Sequence, residues 1–181
     1  CVRAIGSCAD HHRMPALFQH LRQEYPEFGG VFEVVHHTQM LAGLLEQRRL
    51  VPAVKVEQKV VFHDPCYLSR YNGIVEPPRR ILSSIPGLTI VEPDATRNRS
   101  MCCGGGGAGA FIDDAPGSRV NSLRASQLLK TGAGTTGTAC PWCMSMLRDE
   151  IKATDASGVH AVNDVATLLA HSVGLESPPR G

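Results

Sequence analysis

Charge of one sign is what this sequence most plainly lacks: its 181 residues carry 18 basic against 17 acidic side chains. A nucleic-acid binder needs a basic stripe to displace counterions from phosphates, and here Arg and Lys are scattered, so no nucleic-acid partner is expected. Long apolar runs are missing too. Stretches such as Val60-Val61-Phe62 and Val165 to Ala170 fall far short of the ~20 residues needed to cross a bilayer, so no membrane span is expected in this chain. With 43% hydrophobic and 19% charged residues, the composition excludes disorder, collagen and coiled coil. A chain of this length buries roughly 70% of the surface it exposes when unfolded, so a core can form without disulfides. One compact domain or two small halves is the expectation.

Against one Trp and three Tyr stand seven cysteines: Cys1, Cys8, Cys66, Cys102, Cys103, Cys140 and Cys143. An odd count argues against a closed disulfide framework. Cys102 and Cys103 are neighbours, which rarely bridge each other. Cys140-Pro141-Trp142-Cys143 has the spacing that lets two thiolates face one metal or one another. The chain starts at Cys1 rather than Met, so it reads as a piece of a longer protein, with a lipidated Cys1 the lesser reading.

From Lys59 onward short apolar runs alternate with helical ones, the pattern of an α/β fold with short, mainly parallel strands and flanking helices. Val60 to Phe62 reads as a strand running into His63-Asp64-Pro65-Cys66, and Pro77 to Ile85 as a helix with Pro at its start. Leu88 to Val91 is the next strand. A turn-rich stretch from Glu92 to Gly109 carries Cys102-Cys103-Gly104-Gly105-Gly106-Gly107. Helical spacing resumes from Ser118 to Lys130 through Val120, Leu123 and Leu128, and Gly132 ends it. Thr135 to Ala139 is a strand leading into Cys140. Pro141 opens a helix continued by Met144, Leu147, Arg148 and Ile151. Each cysteine group thus falls at an element end, where α/β folds gather their sites.

A weak internal repeat runs through the chain. At an offset of 126, Pro15, Leu21, Arg22 and Glu24 match Pro141, Leu147, Arg148 and Glu150. After one gap, Val34-Val35-His36 followed by Gln39 to Leu45 parallels Ala161-Val162-Asn163 followed by Ala166 to Leu169, each reading as a strand, a polar cap and an apolar-faced helix. This predicts a duplicated cysteine-rich unit with the first copy incomplete: residues 1–50 its tail, 51–175 an intact copy, and 176–181 a C-terminal tail. Met14-Pro15-Ala16-Leu17 stands where the later copy has its Cys-x-x-Cys. The first copy is therefore expected to hold no metal centre, while its helix survives with Leu21 and Tyr25 packing as Leu147 and Ile151 do.

Cys66, Cys102-Cys103 and Cys140 are separated by 35 and 36 residues, so five thiols can converge. Clustered thiolates are soft ligands that repel one another unless cations neutralise them. A tetrahedral zinc uses four and leaves one over, whereas a multi-iron cluster can use all five. An isolated Cys would read as a small buried hydrophobe, and the Cys-x-x-Cys together with the Cys-Cys argues otherwise. A metal-free Cys140–Cys143 thiol oxidoreductase is a third reading.

The segments HDPCYLSRYNG, MCCGGGG and CPWC, in this order and spacing, resemble the CCG cysteine-rich domain of the B and D components of heterodisulfide reductase. The same domain occurs in bacterial iron-sulfur oxidoreductases such as the glycolate oxidase iron-sulfur subunit, and HDPCYLSRYNG is most similar to the electron-transfer-flavoprotein:quinone-reductase-like members. The resemblance covers about 120 of 181 residues. It implies a noncubane [4Fe-4S] cluster on Cys66, Cys102, Cys103, Cys140 and Cys143. Full-length relatives usually carry two such domains, often with a ferredoxin-like segment, and some family domains bind structural zinc.

Gly104 to Gly109 also fits the GxGxxG pattern of a dinucleotide site, but two cysteines occupy its approach and no acidic residue ends a strand ~20 residues on. Gly104, Gly105 and Gly106 are instead expected to let the backbone approach a cluster and point N–H groups at its sulfurs. His63 is a candidate donor to the cluster or proton carrier, with a structural hydrogen bond as the plainer reading. Trp142 shields the site or simply packs. Tyr67 and Arg70 face a substrate or partner, or begin a solvated helix. His11-His12 and His36-His37 are not read as metal sites, because adjacent side chains point apart, and Cys1 and Cys8 match no ligand.

The expected function is the C-terminal part of an iron-sulfur oxidoreductase, taking electrons from a flavoprotein or ferredoxin-like partner to a quinone, a 2-hydroxy acid dehydrogenase or a disulfide. It is expected in the cytoplasm, or at the cytoplasmic face of a membrane-bound portion. The competing class is a non-enzymatic interaction module with structural zinc.

Overall fold

The computed structural model describes residues 14–107, 109–111, 119–155 and 158–175. Cys1, Cys8, His11-His12 and the 176–181 tail lie outside the described residues. Helix α1 (Pro15–Gln19) continues through a π-helical turn and a 3-10 turn to Phe28, and α2 spans His37–Glu46. Strand β1 (Gln58–Phe62) is followed by the short α3 (Cys66–Ser69), α4 (Glu76–Ser84) and β2 (Leu88–Val91). Then come α5 (Val120–Leu129), β3 (Thr135–Thr138), α6 (Pro141–Thr154), β4 (Ala161–Asp164) and α7 (Val165–Ser172).

The four strands form one parallel sheet in the order β2-β1-β3-β4. Alternating side chains divide the core in two. Val60 and Phe62 face a layer containing Ile81 and Leu82 of α4 and Leu168 and Leu169 of α7, while Val61 and Val162 face Ala125 and Leu128 of α5 and Leu147 and Ile151 of α6. The chain moves outward from β1 to β2 in one direction and from β3 to β4 in the other. Right-handed crossovers then require α4 and α6 on opposite faces, as observed. Adjacent strands β1 and β3 therefore part company at their C-terminal ends, leaving a topological switch point where open α/β sheets form ligand crevices.

The expected strands and helices stand within a few residues of their predicted bounds, with three differences. Helix α5 buries Asn121, Arg124, Ala125 and Leu128, while Val120 and Leu123 are exposed. Its buried face is set one residue over from the apolar one, because the Arg124 charge finds partners inside. Among the described residues Val34 to His36 forms no strand: it is irregular backbone leading to His36, which N-caps α2 in a capping box with Gln39. Tyr25 is 47% exposed against 1% for Ile151. The π-helical turn changes the helix face, and among the described residues no strand packs beneath that segment to receive it.

Candidate metal centre

Both strands that flank the switch point deliver cysteine. Beyond β1 the chain passes His63, Asp64 and Pro65 into Cys66 at the start of α3, and beyond β3 it reaches Cys140, the N-cap of α6, with Pro141 at the first helical position. Cys102 and Cys103 arrive from the loop between β2 and α5. Cys103, Cys140 and Cys143 are buried, Cys66 and Cys102 partly so, and all five are free thiols.

The five thiols act on one another in a continuous series, Cys66 to Cys102 to Cys103 to Cys143 to Cys140. Cys102 is pulled far below the ordinary thiol range by bonds from Cys103 and Cys66, and the Gly104 N–H adds a contact to its Sγ at 3.3 Å. Cys140 is lowered by a bond from Cys143, with the backbone N–H groups of Cys143 and Trp142 at the start of α6 adding to it. Cys66 is pushed up by its bond to Cys102, Cys103 by its bond to the same sulfur, and Cys143 by its bonds to Cys103 and Cys140. The two lowered sulfurs, Cys102 and Cys140, are thus each flanked by thiols whose own pKa is raised, Cys102 by Cys66 and Cys103 and Cys140 by Cys143.

His63 is wholly buried, and a ring nitrogen lies with the Cys103 and Cys143 sulfurs in a group whose atoms are all within 4.8 Å of one another. Burial lowers its pKa to about 3, with the neighbouring Arg124 charge acting in the same direction, so the ring is neutral. Its Nε2 is buried without a hydrogen-bond partner.

The glycines divide by task. Gly104 adopts φ +80°, a left-handed conformation that turns its N–H toward Cys102, and a Cβ there would sit 3.2 Å from the Asn121 nitrogen. A Cβ on Gly105 would stand 3.0 Å from Met146 Cγ and 3.7 Å from Cys103 Sγ. Gly106 lines the pocket, but a Cβ there would meet nothing within 4 Å.

Two buried arginines, neither singled out by the sequence motifs, hold the site together. Arg79 of α4 grips Asp64 with two bonds of 2.7 and 2.9 Å and Glu92 with two of 2.6 and 3.0 Å, and stacks 5.1 Å from the centre of the Phe62 ring. Asp64 also accepts the Arg97 N–H at 2.8 Å. Arg124 of α5 bonds His63, the Ala95 carbonyl and Ser100. Arg70 donates to the Ser100 carbonyl and so tethers that loop. Together they pin the loop bearing Cys102-Cys103 to the turn bearing Cys66. The legible signal was a charged residue at helical spacing from buried apolar ones: Arg124 stands four before Leu128, and Arg79 stands three before Leu82.

A cavity of about 170 Å³ opens onto the sulfurs, with Tyr67, Trp142, Gly105 and Gly106 in its wall. Met14, Pro15 and Ala16 line it too, so the segment aligned with the Cys-x-x-Cys reaches the same pocket without a thiol. Trp142 is 42% exposed and meets Phe111 edge-on, a partial shield. Tyr67 stacks on Tyr71. His36 and His37 lie at the start of α2 and take no part in this group.

The CCG family, described as a cysteine-rich domain, matches residues 60–148. The chain is 40% identical over 159 residues to a Bacillus subtilis protein named "Probable iron-sulfur-binding oxidoreductase FadF", covering 88% of this chain and 23% of that one. It is 35% identical over 156 residues to the EtfAB:quinone oxidoreductase of Syntrophomonas wolfei, covering 82% and 22%. It is 35% identical over 181 residues to the D component of the dihydromethanophenazine:CoB–CoM heterodisulfide reductase of Methanosarcina acetivorans, covering 96% and 43%. The chain thus spans between about a fifth and under half of the length of these relatives. With its thiols gathered at the switch point of a parallel sheet and these relatives along most of its length, the chain belongs, through residues 60–148, to the CCG cysteine-rich domain family.

Proposed function

We propose that this chain is the C-terminal, cluster-bearing part of an iron-sulfur oxidoreductase, and that Cys66, Cys102, Cys103, Cys140 and Cys143 hold a noncubane [4Fe-4S] cluster. The observation that carries the reading is that three separate loops bring five thiols, each beside the next, to the region beyond β1 and β3. The donor set fits such a group. Five soft sulfurs exceed what one tetrahedral zinc uses, His63 Nε2 has no partner, and Gly104 already points an N–H at a sulfur. When bound, such a cluster supplies one-electron chemistry. The chain's own residues hold it, offer it N–H groups, and screen it with Trp142 and with the Met14 to Ala16 segment.

The reading extends to a flavoprotein or ferredoxin-like partner as donor and to a quinone, a 2-hydroxy acid dehydrogenase or a disulfide as acceptor. Names of relatives support an electron-transfer role. Placement in the cytoplasm or at the cytoplasmic membrane face belongs to the same proposal; among the described residues no helix is long and apolar enough to cross a membrane. Residues 1–50 are proposed as the tail of an incomplete first copy of the unit. Support for this comes from α1 and α6, which both open with a proline and reach one pocket.

Iron and acid-labile sulfide assays on anaerobically prepared protein, with absorption and EPR spectra, test the reading. About four irons per chain is the expected result, the one-cluster figure. Zinc without sulfide would establish the structural-module reading instead, and a reversible Cys140–Cys143 disulfide without metal would establish a thiol oxidoreductase.

A further inference from the structure

Arg124 is wholly buried, and its guanidinium is committed on every side. Nε donates to His63 Nδ1 at 3.0 Å, Nη1 to the Ala95 carbonyl and the Gln127 side chain at 2.9 Å each, and Nη2 to Ser100 Oγ at 3.3 Å. Guanidinium has five donors and no acceptor, so His63 Nδ1 must be the acceptor of that bond. A neutral imidazole that accepts at Nδ1 carries its proton at Nε2. Nε2 is the buried atom that hydrogen-bonds to nothing, on a ring whose nitrogen stands with the Cys103 and Cys143 sulfurs. A histidine that ligates a metal donates its other ring N–H to a carboxylate, a carbonyl or water. Here the other nitrogen faces a cation, so Nε2 cannot offer a lone pair without the ring becoming an anion.

We propose that Arg124 is a positioning residue that locks His63 in the Nε2–H form and aims that N–H at the sulfur-held group, making His63 a hydrogen-bond donor to it and not a ligand. The proposal rests on the iron-sulfur reading above. An N–H directed at cluster sulfur stabilises the more negative, reduced state and so raises the reduction potential.

The test is an EPR-monitored redox titration of the iron-loaded chain as wild type, His63→Leu, His63→Gln, Arg124→Lys, and the double variant His63→Leu/Arg124→Lys. His63→Leu is expected to keep its iron and shift the midpoint to more negative potential. His63→Gln, whose amide can accept from Arg124 and donate onward, is expected to recover part of that shift. Arg124→Lys keeps the positive charge but loses the Nε geometry, so it too is expected to shift downward. Because Arg124 acts through His63, the double variant is expected to shift no further than His63→Leu. In the wild type, an exchangeable-deuteron coupling and only a weak coupling from ¹⁵N-labelled histidine are expected in pulsed EPR. Loss of iron from His63→Leu, or a strong ¹⁵N coupling, would make His63 a ligand and overturn the proposal. An unchanged potential in His63→Leu would overturn it as well, and this variant decides the matter where Arg124→Lys does not load iron. Wild-type protein without iron and sulfide would instead defeat the iron-sulfur reading, a separate failure.

Discussion

Two helices of this chain begin alike and end differently. Both α1 and α6 follow an extended N-cap residue, Met14 or Cys140, with proline at the first position, and both starts line the cavity over the sulfurs. Helix α6 then runs for 14 residues and buries Cys143, Leu147 and Ile151 against the sheet. Helix α1 lasts five residues before passing into a π-helical turn, and beyond Phe18 its side chains are half-buried or exposed. Phe18 meets His36 edge-on and joins the core layer that contains Val60 and Phe62. A proline start sets where a helix begins. Its length is decided by whether a sheet lies beneath it, since packing of one face supplies most helical stability in proteins.

Replacing the thiols breaks this comparison most severely. Cys140→Ser or Cys143→Ser should lose bound iron and about 4 kcal/mol or more of stability, because ligand binding energy is folding energy in such sites. Met14→Ala, Leu17→Ala, Cys1→Ser and Cys8→Ser should retain full iron; equal iron content in all six variants would refute the ligand assignment. Next in size are the packing pairs. Ile151→Ala should cost ~2–5 kcal/mol in urea unfolding, whereas Tyr25→Ala at the matched position should stay within about 0.5 kcal/mol. Similar costs for both would mean that the first segment is docked as firmly as the second.

The smallest expected effect is on the acid limb of the stability curve. Burial alone would raise the Glu92 carboxyl, but bonds from Arg79 and Thr96 and the charges of Arg79 and Arg97 hold it below its ordinary 4.5. A depressed carboxyl contributes stability that is present above the unfolded-state value and lost as pH falls through the folded-state value. Glu92→Gln should therefore flatten the loss of stability below about pH 4.5. Glu24→Gln, which removes the exposed His20–Glu24 pair of the first segment, should leave that limb unchanged. A steep acid limb in Glu92→Gln would show that the Arg79 network is not what titrates.

Most of the architecture was legible because it depends on local pattern. Short apolar runs mark β1 and β2, prolines mark the starts of α4 and α6, and the cysteine spacing marks three loops that have to meet. Helix α5 was legible as a helix but not in its facing. Val120 and Leu123 were the natural core candidates, yet the fold turns Arg124 inward because His63, Ala95 and Ser100, distant in sequence, are waiting with acceptors. Val34 to His36 misled for the opposite reason: β-branched residues favour a strand, but among the described residues no neighbouring strand is there to pair with them.

By itself, then, the sequence determined the α/β class, the helix starts and the set of five cysteines, since each follows from residues within a turn or two of one another or from a spacing along the chain. Only the tertiary structure decided that β1 and β3 are neighbours whose connections diverge, which is what brings Cys66 and Cys140 to one crevice. It alone decided the tautomer of His63, through an arginine 61 residues away. The physical reason is the same in both cases. Strand order and buried polar pairing are settled by long-range contacts whose free energy no local window of sequence contains.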